Sequence, residues 1–217
     1  MVDGYEKMNA ECAVVDVDGT VIRGNSMREM MRFMLTDGVA SGNLPVAAKV
    51  ARHLLLRRLR VITHREMKHP IHLLALSFMA DSDRMRRFMA RLMTKIHPGV
   101  MSLLTDLKRR GVKLLLATAA PDIYVAALAE ALGADGYTAT PHASTLEGYI
   151  ENRGEEKLVR AQRYAADRGW RIGCVVTDHK DDMPLLLLQG VRRVLVAPDS
   201  ALCHHLREAH LDYEVIP

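Results

Sequence analysis

The chain has 217 residues, 49% of them hydrophobic and 26% charged, a size and composition that support a substantial buried core and exclude a disordered chain. A formal net charge of +4 is a mild excess that selects no partner by itself. Cys12, Cys174 and Cys203 lack CxxC or zinc spacing, which excludes a disulfide framework and a structural zinc site and points to a reducing cytoplasm.

In chain order, CAVVDV at 12–17 is a β-branched run ending in acidic residues and Gly19-Thr20, which predicts a buried strand emptying into a loop. Four helices are predicted next, over about 26–36, 44–58, 63–79 and 82–95, from capping-box spacing in Ser26/Glu29 and Thr63/Glu66 and breaks such as Asp37-Gly38 and Gly42-Asn43. Their most apolar stretches are interrupted by Lys49, Arg52, His53 and Arg57, and no basic segment leads into an apolar run at the start of the sequence. Neither secretion nor a membrane partner is expected. With 13 Met and 5% aromatics, the interior is predicted to be aliphatic and Met-filled.

Beyond Pro98 the pattern alternates: helix to Arg110, strand Lys113–Ala117, helix 122–132, short strands within 136–150, helix 155–168, strand 172–177, helix 182–189, strand 192–196, helix 199–208 and a strand near 213–216. Such repeats predict an α/β, Rossmann-like parallel sheet with helices on both faces and ligands at the carboxyl ends of its strands. The helical block between strands predicts an insertion: a discontinuous core domain, 1–22 and 97–217, carrying an all-helical cap domain, 23–96.

Asp16 and Asp18 stand two apart at the end of the first strand, so continued strand geometry would turn both carboxylates to one side. A solvated Asp-Gly turn has no use for the first Asp. Adjacent carboxylates shift a pKa or recruit a cation, as metal-assisted acid/base chemistry requires. Thr118 ends KLLLAT, Lys157 in GEEK reads by itself as a surface lysine, and Asp178 and Asp182 follow the later strand in TDHKDDMPLL. Acidic residues at 178, 181 and 182 also suit the start of a helix, a role compatible with metal binding.

DVDGT at 16–20, TAAPDIY at 118–124, GEEK at 154–157 and TDHKDDMPLL at 177–186 together resemble the four motifs of the haloacid dehalogenase superfamily, in order, and the helical block resembles the cap of its phosphoserine-phosphatase-like branch. The resemblance implies a HAD-like fold and a cytoplasmic, Mg2+-dependent phosphatase of a small phosphorylated metabolite. It further implies an aspartyl-phosphate on Asp16, Asp18 as general acid/base, Thr118 and Lys157 on the phosphate, and Asp16, Asp18 (through its carbonyl), Asp178 and, less directly, Asp182 at the metal.

Three departures bear on specificity. Ala119-Ala120 stand where the branch often has a second hydroxyl residue; Thr177-Asp178 stands where Gly-Asp is commoner, expected to alter loop geometry more than chemistry; and the cap lacks the Glu-x-x-Phe pattern of a phosphoserine-specific enzyme. Arg23, just beyond DVDGT, is the candidate specificity residue. His64, His69 and His72 have no partner at zinc-like spacing and are read as surface or core histidines. Phosphotransfer to another acceptor uses the same residues. A phospho-receiver would carry its acidic pair and phosphoacceptor on different strands. A nucleic-acid module would interleave aromatics with its cations, so no nucleic-acid partner is expected.

Overall fold

The computed structural model describes residues 10–217; the first nine residues, assigned above to the core domain, lie outside the described residues. Strand β1 (Ala10–Val15) sits inside a six-stranded sheet of order β3-β2-β1-β4-β5-β6, with β2 (Lys113–Pro121), β3 (Gly136–Thr140), β4 (Trp170–Thr177), β5 (Arg192–Val196) and β6 (Glu214–Ile216) all pairing in parallel. A parallel sheet is buried on both faces, so the central stretches of its inner strands are apolar and alternate only in which layer they meet. Ala13 and Val15 pack into one apolar cluster, Cys12 and Val14 into the other.

Helices α1 (Ser26–Ala40), α2 (Leu44–Arg58), α3 (His64–Phe78) and α4 (Ser82–Met93) intervene between β1 and α5 (Pro98–Arg109). Their buried side chains include Met27, Met30, Met31, Met34 and Met67, the Met-rich packing the composition predicts. The two crossings into and out of this block lie side by side: Ile22 pairs antiparallel with Ile96, Arg23 N–H donates to the Lys95 carbonyl at 2.8 Å, and His97 N–H to that of Val21 at 2.8 Å. Helices α6 (Asp122–Leu132), α7 (Glu155–Ala166), α8 (Met183–Leu186) and α9 (Ser200–Glu208) complete the layers.

Several predicted boundaries move for identifiable reasons. The first helix continues past Asp37-Gly38 to Ala40 because Gly38 is buried where α2 crosses; a Cβ there would stand 3.3 Å from that of Ala47. The capping box at Ser26 is not formed: Asn25 caps α1 through Arg28 N–H at 2.8 Å, while the Ser26 hydroxyl meets the Tyr124 hydroxyl at 2.8 Å. The second strand extends to Pro121, pairing with Thr140, and 136–150 holds one strand, not several. The helix predicted over 182–189 is a 3-10 turn, Lys180–Asp182, followed by the short α8, with Pro184 in the first turn of α8.

Candidate active site

Strands β1, β2 and β4 end side by side, where the strand order reverses, and open sheets of this kind bind ligands at that point. Past β1 the chain turns sharply: Gly19 N–H donates to the Ile22 and Gly24 carbonyls, and Ile22 N–H to that of Val17. Gly19 has φ +84°, and a Cβ on it would lie 1.9 Å from Asp178 Oδ2. The glycine is therefore required both by the backbone and by the carboxylate lying against it.

Asp16 is buried, with Oδ1 accepting from Lys157 Nζ at 2.8 Å; no hydrogen bond reaches its Oδ2 among the described residues. Lys157, in the first turn of α7 and only 4% exposed, also meets Asp182 Oδ1 at 2.6 Å. Asp182 is fixed in turn by the Thr177 hydroxyl, which donates to its Oδ2 at 2.7 Å. Burial pushes Asp16 well above the usual carboxylate range, partly opposed by Lys157 and reinforced by Asp182 and Asp178. Burial disfavours the charged form of Lys157 too, but Asp16 and Asp182 outweigh it and hold the ammonium protonated.

Asp18 accepts from Ser26 N–H at 2.7 Å and Asn25 Nδ2 at 3.2 Å, which aims it from the N-terminus of α1. Burial raises its pKa, against these hydrogen bonds, so its carboxyl holds a proton more readily than a free aspartate. Thr118 is buried with its Oγ1 accepting from Ala120 N–H at 3.1 Å, which leaves its own proton to donate. Buried Asn152 holds the end of β2 through the Thr118 carbonyl at 3.1 Å. Asp178 accepts from the Thr20 hydroxyl at 3.1 Å, and burial raises its pKa as well.

These groups share one cavity of about 450 Å³, lined by Asp16, Asp18, Thr118, Lys157, Asp178 and Asp182. Across from them stand His64 and Lys68 of α3, and Glu151 and Arg153 from the segment before α7. The structure does not bring Arg23 to the cavity; it is exposed at the crossing, and Lys68, paired with Glu151 at 2.5 Å, stands on the wall instead. Helix α3 closes this side through Arg65 to the Tyr149 carbonyl at 3.0 Å, His69 to the Ala143 carbonyl at 2.9 Å and His72 Nε2 to Asp122 Oδ1 at 3.0 Å.

Four aspartates against one buried ammonium leave an excess of negative charge, the situation a divalent cation relieves. No three acidic, His or Cys side chains converge into a metal cage by themselves among the described residues. Magnesium does not require one, since it takes one or two carboxylates and keeps waters and substrate oxygens. Asp16, Asp178 and the Asp18 carbonyl fit that donor set, while Asp182 is engaged with Lys157 and Thr177.

Sequence reading missed Thr20, Asn25, Ser26, Asn152 and Glu151. Thr177, expected only to adjust loop geometry, orients the partner of Lys157.

The family model for haloacid dehalogenase-like hydrolases matches residues 13–187. No curated protein matches the chain. Among solved structures, a protein of unknown function from Bordetella pertussis Tohama I is similar at 18% identity and TM-score 0.76, covering 96% of this chain and 99% of that one. A phospho-aspartyl intermediate analogue of phosphoserine phosphatase is similar at 14% identity and TM-score 0.58, covering 95% and 93%. A HAD family hydrolase from Salmonella enterica serovar Typhi is similar at 12% identity and TM-score 0.61, covering 96% and 67%. At these identities the likenesses speak for the fold.

Proposed function

This chain belongs to the haloacid dehalogenase-like hydrolase family, and we propose that it is a Mg2+-dependent phosphatase that hydrolyses a small phosphomonoester through an aspartyl-phosphate on Asp16. The observation that carries the reading is the convergence of Asp16, Asp18, Thr118, Lys157 and Asp178 on one cavity at the ends of three neighbouring strands. Residues 23–96 act as the helical cap over a core formed, among the described residues, by 10–22 and 97–217.

Asp16 Oδ2 is the nucleophile, while the Lys157 ammonium on Oδ1 favours the ionised form and so partly opposes the effect of burial. Attack on phosphorus forms the acyl phosphate and breaks the ester P–O bond as Asp18 donates its proton to the leaving oxygen. Asp18 then takes a proton from the water that attacks the same phosphorus, releasing phosphate and restoring Asp16. Thr118 Oγ1 and Lys157 Nζ donate to the phosphoryl oxygens throughout. Bound at Asp16, Asp178 and the Asp18 carbonyl, Mg2+ supplies charge neutralisation to those oxygens. Charged side chains at Lys68, Glu151 and Arg153 favour a polar leaving group.

The test is release of inorganic phosphate from a phosphomonoester panel, with Mg2+ or chelator, comparing native protein with Asp16→Asn. Metal-dependent turnover abolished by the substitution is expected. Equal activity of both proteins would remove Asp16 as nucleophile, and equal inactivity across a broad panel would count against hydrolysis.

A further inference from the structure

Helix α2 leaves an unusual face to solvent. Of its 15 residues only Ala47 and Val50 are buried. Flanking the buried side, Leu44, Ala48, Ala51 and Leu55 recur at i, i+4, i+7 and i+11, all exposed, and Leu59 continues the stripe. Leu44, Leu55, Leu59 and Val61 are each more than half exposed, and with Val39 they make five of the nine large apolar side chains that the described residues expose. A concentration of this kind exceeds the single exposed apolars of an ordinary surface.

The same segment is cationic without compensation. Lys49, Arg52, Arg57, Arg58 and Arg60 lie along it, and no Asp or Glu occurs from Gly38 through Arg65. None of the five makes an ion pair among the described residues, whereas on α4 Arg84 and Arg87 pair with Asp37, Arg86 with Asp83 and Arg91 with Glu29. The fold neutralises the arginines of α4 and leaves those of α2 open.

We propose that α2 and the turn after it, residues 44–61, form a docking face for the surface of an anionic phospholipid bilayer. An aliphatic stripe flanked by arginines is the pattern of a helix lying in the membrane interface, its apolar residues among the acyl chains and its cations at lipid phosphates. A second copy is disfavoured because five open cations would face five others. Nucleic acid would use the charge but not the leucines, and the segment offers no Trp, Tyr or Phe for stacking. No helix among the described residues is long and apolar enough to cross a membrane, so the association is peripheral. The inference departs from the sequence expectation of no membrane partner: the cations that interrupt the apolar run there are the polar edge of the interfacial helix. It is independent of the phosphatase reading, though His64, three residues beyond Val61, lines the cavity and places the docking face beside the cavity wall.

The experiment is co-sedimentation of the full chain with phosphatidylcholine vesicles, with and without phosphatidylglycerol, at physiological ionic strength. Binding is expected only to the anionic vesicles. Arg52→Gln/Arg58→Gln should weaken partitioning about 25-fold, roughly fivefold per cation. Leu55→Ser/Leu59→Ser should weaken it at least about tenfold with every charge retained, and unchanged thermal melting of both variants shows the loss is not one of folding. No binding to either vesicle, or equal binding to neutral ones, overturns the proposal. So does leucine-dependent dimerisation, or binding to DNA or an acidic polypeptide that is tighter than to vesicles and indifferent to the leucine substitutions.

Discussion

Substituting Gly19 by alanine tests the site through its tightest contact. A left-handed backbone at φ +84° costs a residue with a Cβ about 1–2 kcal/mol. The new methyl would also stand 1.9 Å from Asp178 Oδ2 and 2.5 Å from its Cγ, so the carboxylate must retreat by about 1.5 Å to reach ordinary contact distance. That movement breaks the bond it accepts from Thr20, worth about 1.5–3 kcal/mol for an ionised acceptor. The expected total is about 2.5–5 kcal/mol. Gly42→Ala is the control, because Gly42 has φ +73° and nothing within 4 Å of its Cβ position; it should cost the backbone part alone. Removing the carboxylate with Asp178→Ala should reduce the cost of Gly19→Ala to that of the control, a coupling of about 1.5–3 kcal/mol in the double-mutant cycle. Because a displacement of this size misplaces a proposed metal ligand, Mg2+-dependent turnover should fall about 100-fold or more. Urea unfolding of the four proteins and phosphate release across Mg2+ concentrations measure both effects. Equal destabilisation by Gly19→Ala and Gly42→Ala, or near-native turnover in Gly19→Ala, would refute the reasoning.

Asp18→Asn should keep Mg2+ dependence but lose about 10²–10⁴-fold in rate; single-turnover kinetics with a poor leaving group measure it, and a native rate would exclude acid/base work by Asp18. Lys157→Met should cost about 3–5 kcal/mol, since it strands Asp16 and Asp182 in the interior; a melting temperature equal to the native one would show that the pair carries no such weight. Glu29 gives a pH-dependent test: burial raises its pKa, but Lys95, Arg91 and Arg32 together prevail and hold it below the ordinary value. A depressed folded-state pKa contributes stability above the unfolded value, about pH 4.3, and that contribution disappears as pH falls through the folded one. The stability gap between native protein and Glu29→Gln should therefore be full near pH 6 and close in acid; a gap constant with pH would count against the cluster.

The sheet was legible because its central strands carry short apolar runs, AVV, LLLA, CVV and VLV, with polar residues at their ends, set between helical segments as in a buried parallel sheet. The motif residues were legible for the same reason, each sitting at a strand end or helix start fixed by local sequence. What stayed hidden depends on tertiary neighbours. Asn152 looks like any loop asparagine, and only the fold brings its amide to the Thr118 carbonyl from 34 positions away. Ser26 was read as a cap because its spacing to Glu29 is right; burial against Tyr124 gave its hydroxyl another partner. Arg23 was favoured for its nearness to DVDGT along the chain, yet the crossing pairs it with Lys95 and leaves its side chain outside the cavity.

The seam over the cavity has a composition that bears on how water enters. On one side the helical block is joined to the sheet's helices by apolar packing: Phe88 meets Tyr124 at 5.2 Å between ring centroids, and both lie in the cluster that includes Phe33, Leu104 and Val125. On the other side α3 is held to the 143–151 segment by Arg65, Lys68 and His69, and to Asp122 by His72, with the Tyr149 ring between. Parting the first contact would expose apolar area at about 25 cal/mol per Å². Parting the second exposes groups that water satisfies in turn, at a net cost of about 0.5–1.5 kcal/mol for each hydrogen bond. In the proposed reaction, an opening that admits water to the aspartyl-phosphate would thus fall at the hydrogen-bonded α3 seam before the apolar α4 contact, beside the paired crossings at Ile22 and Ile96.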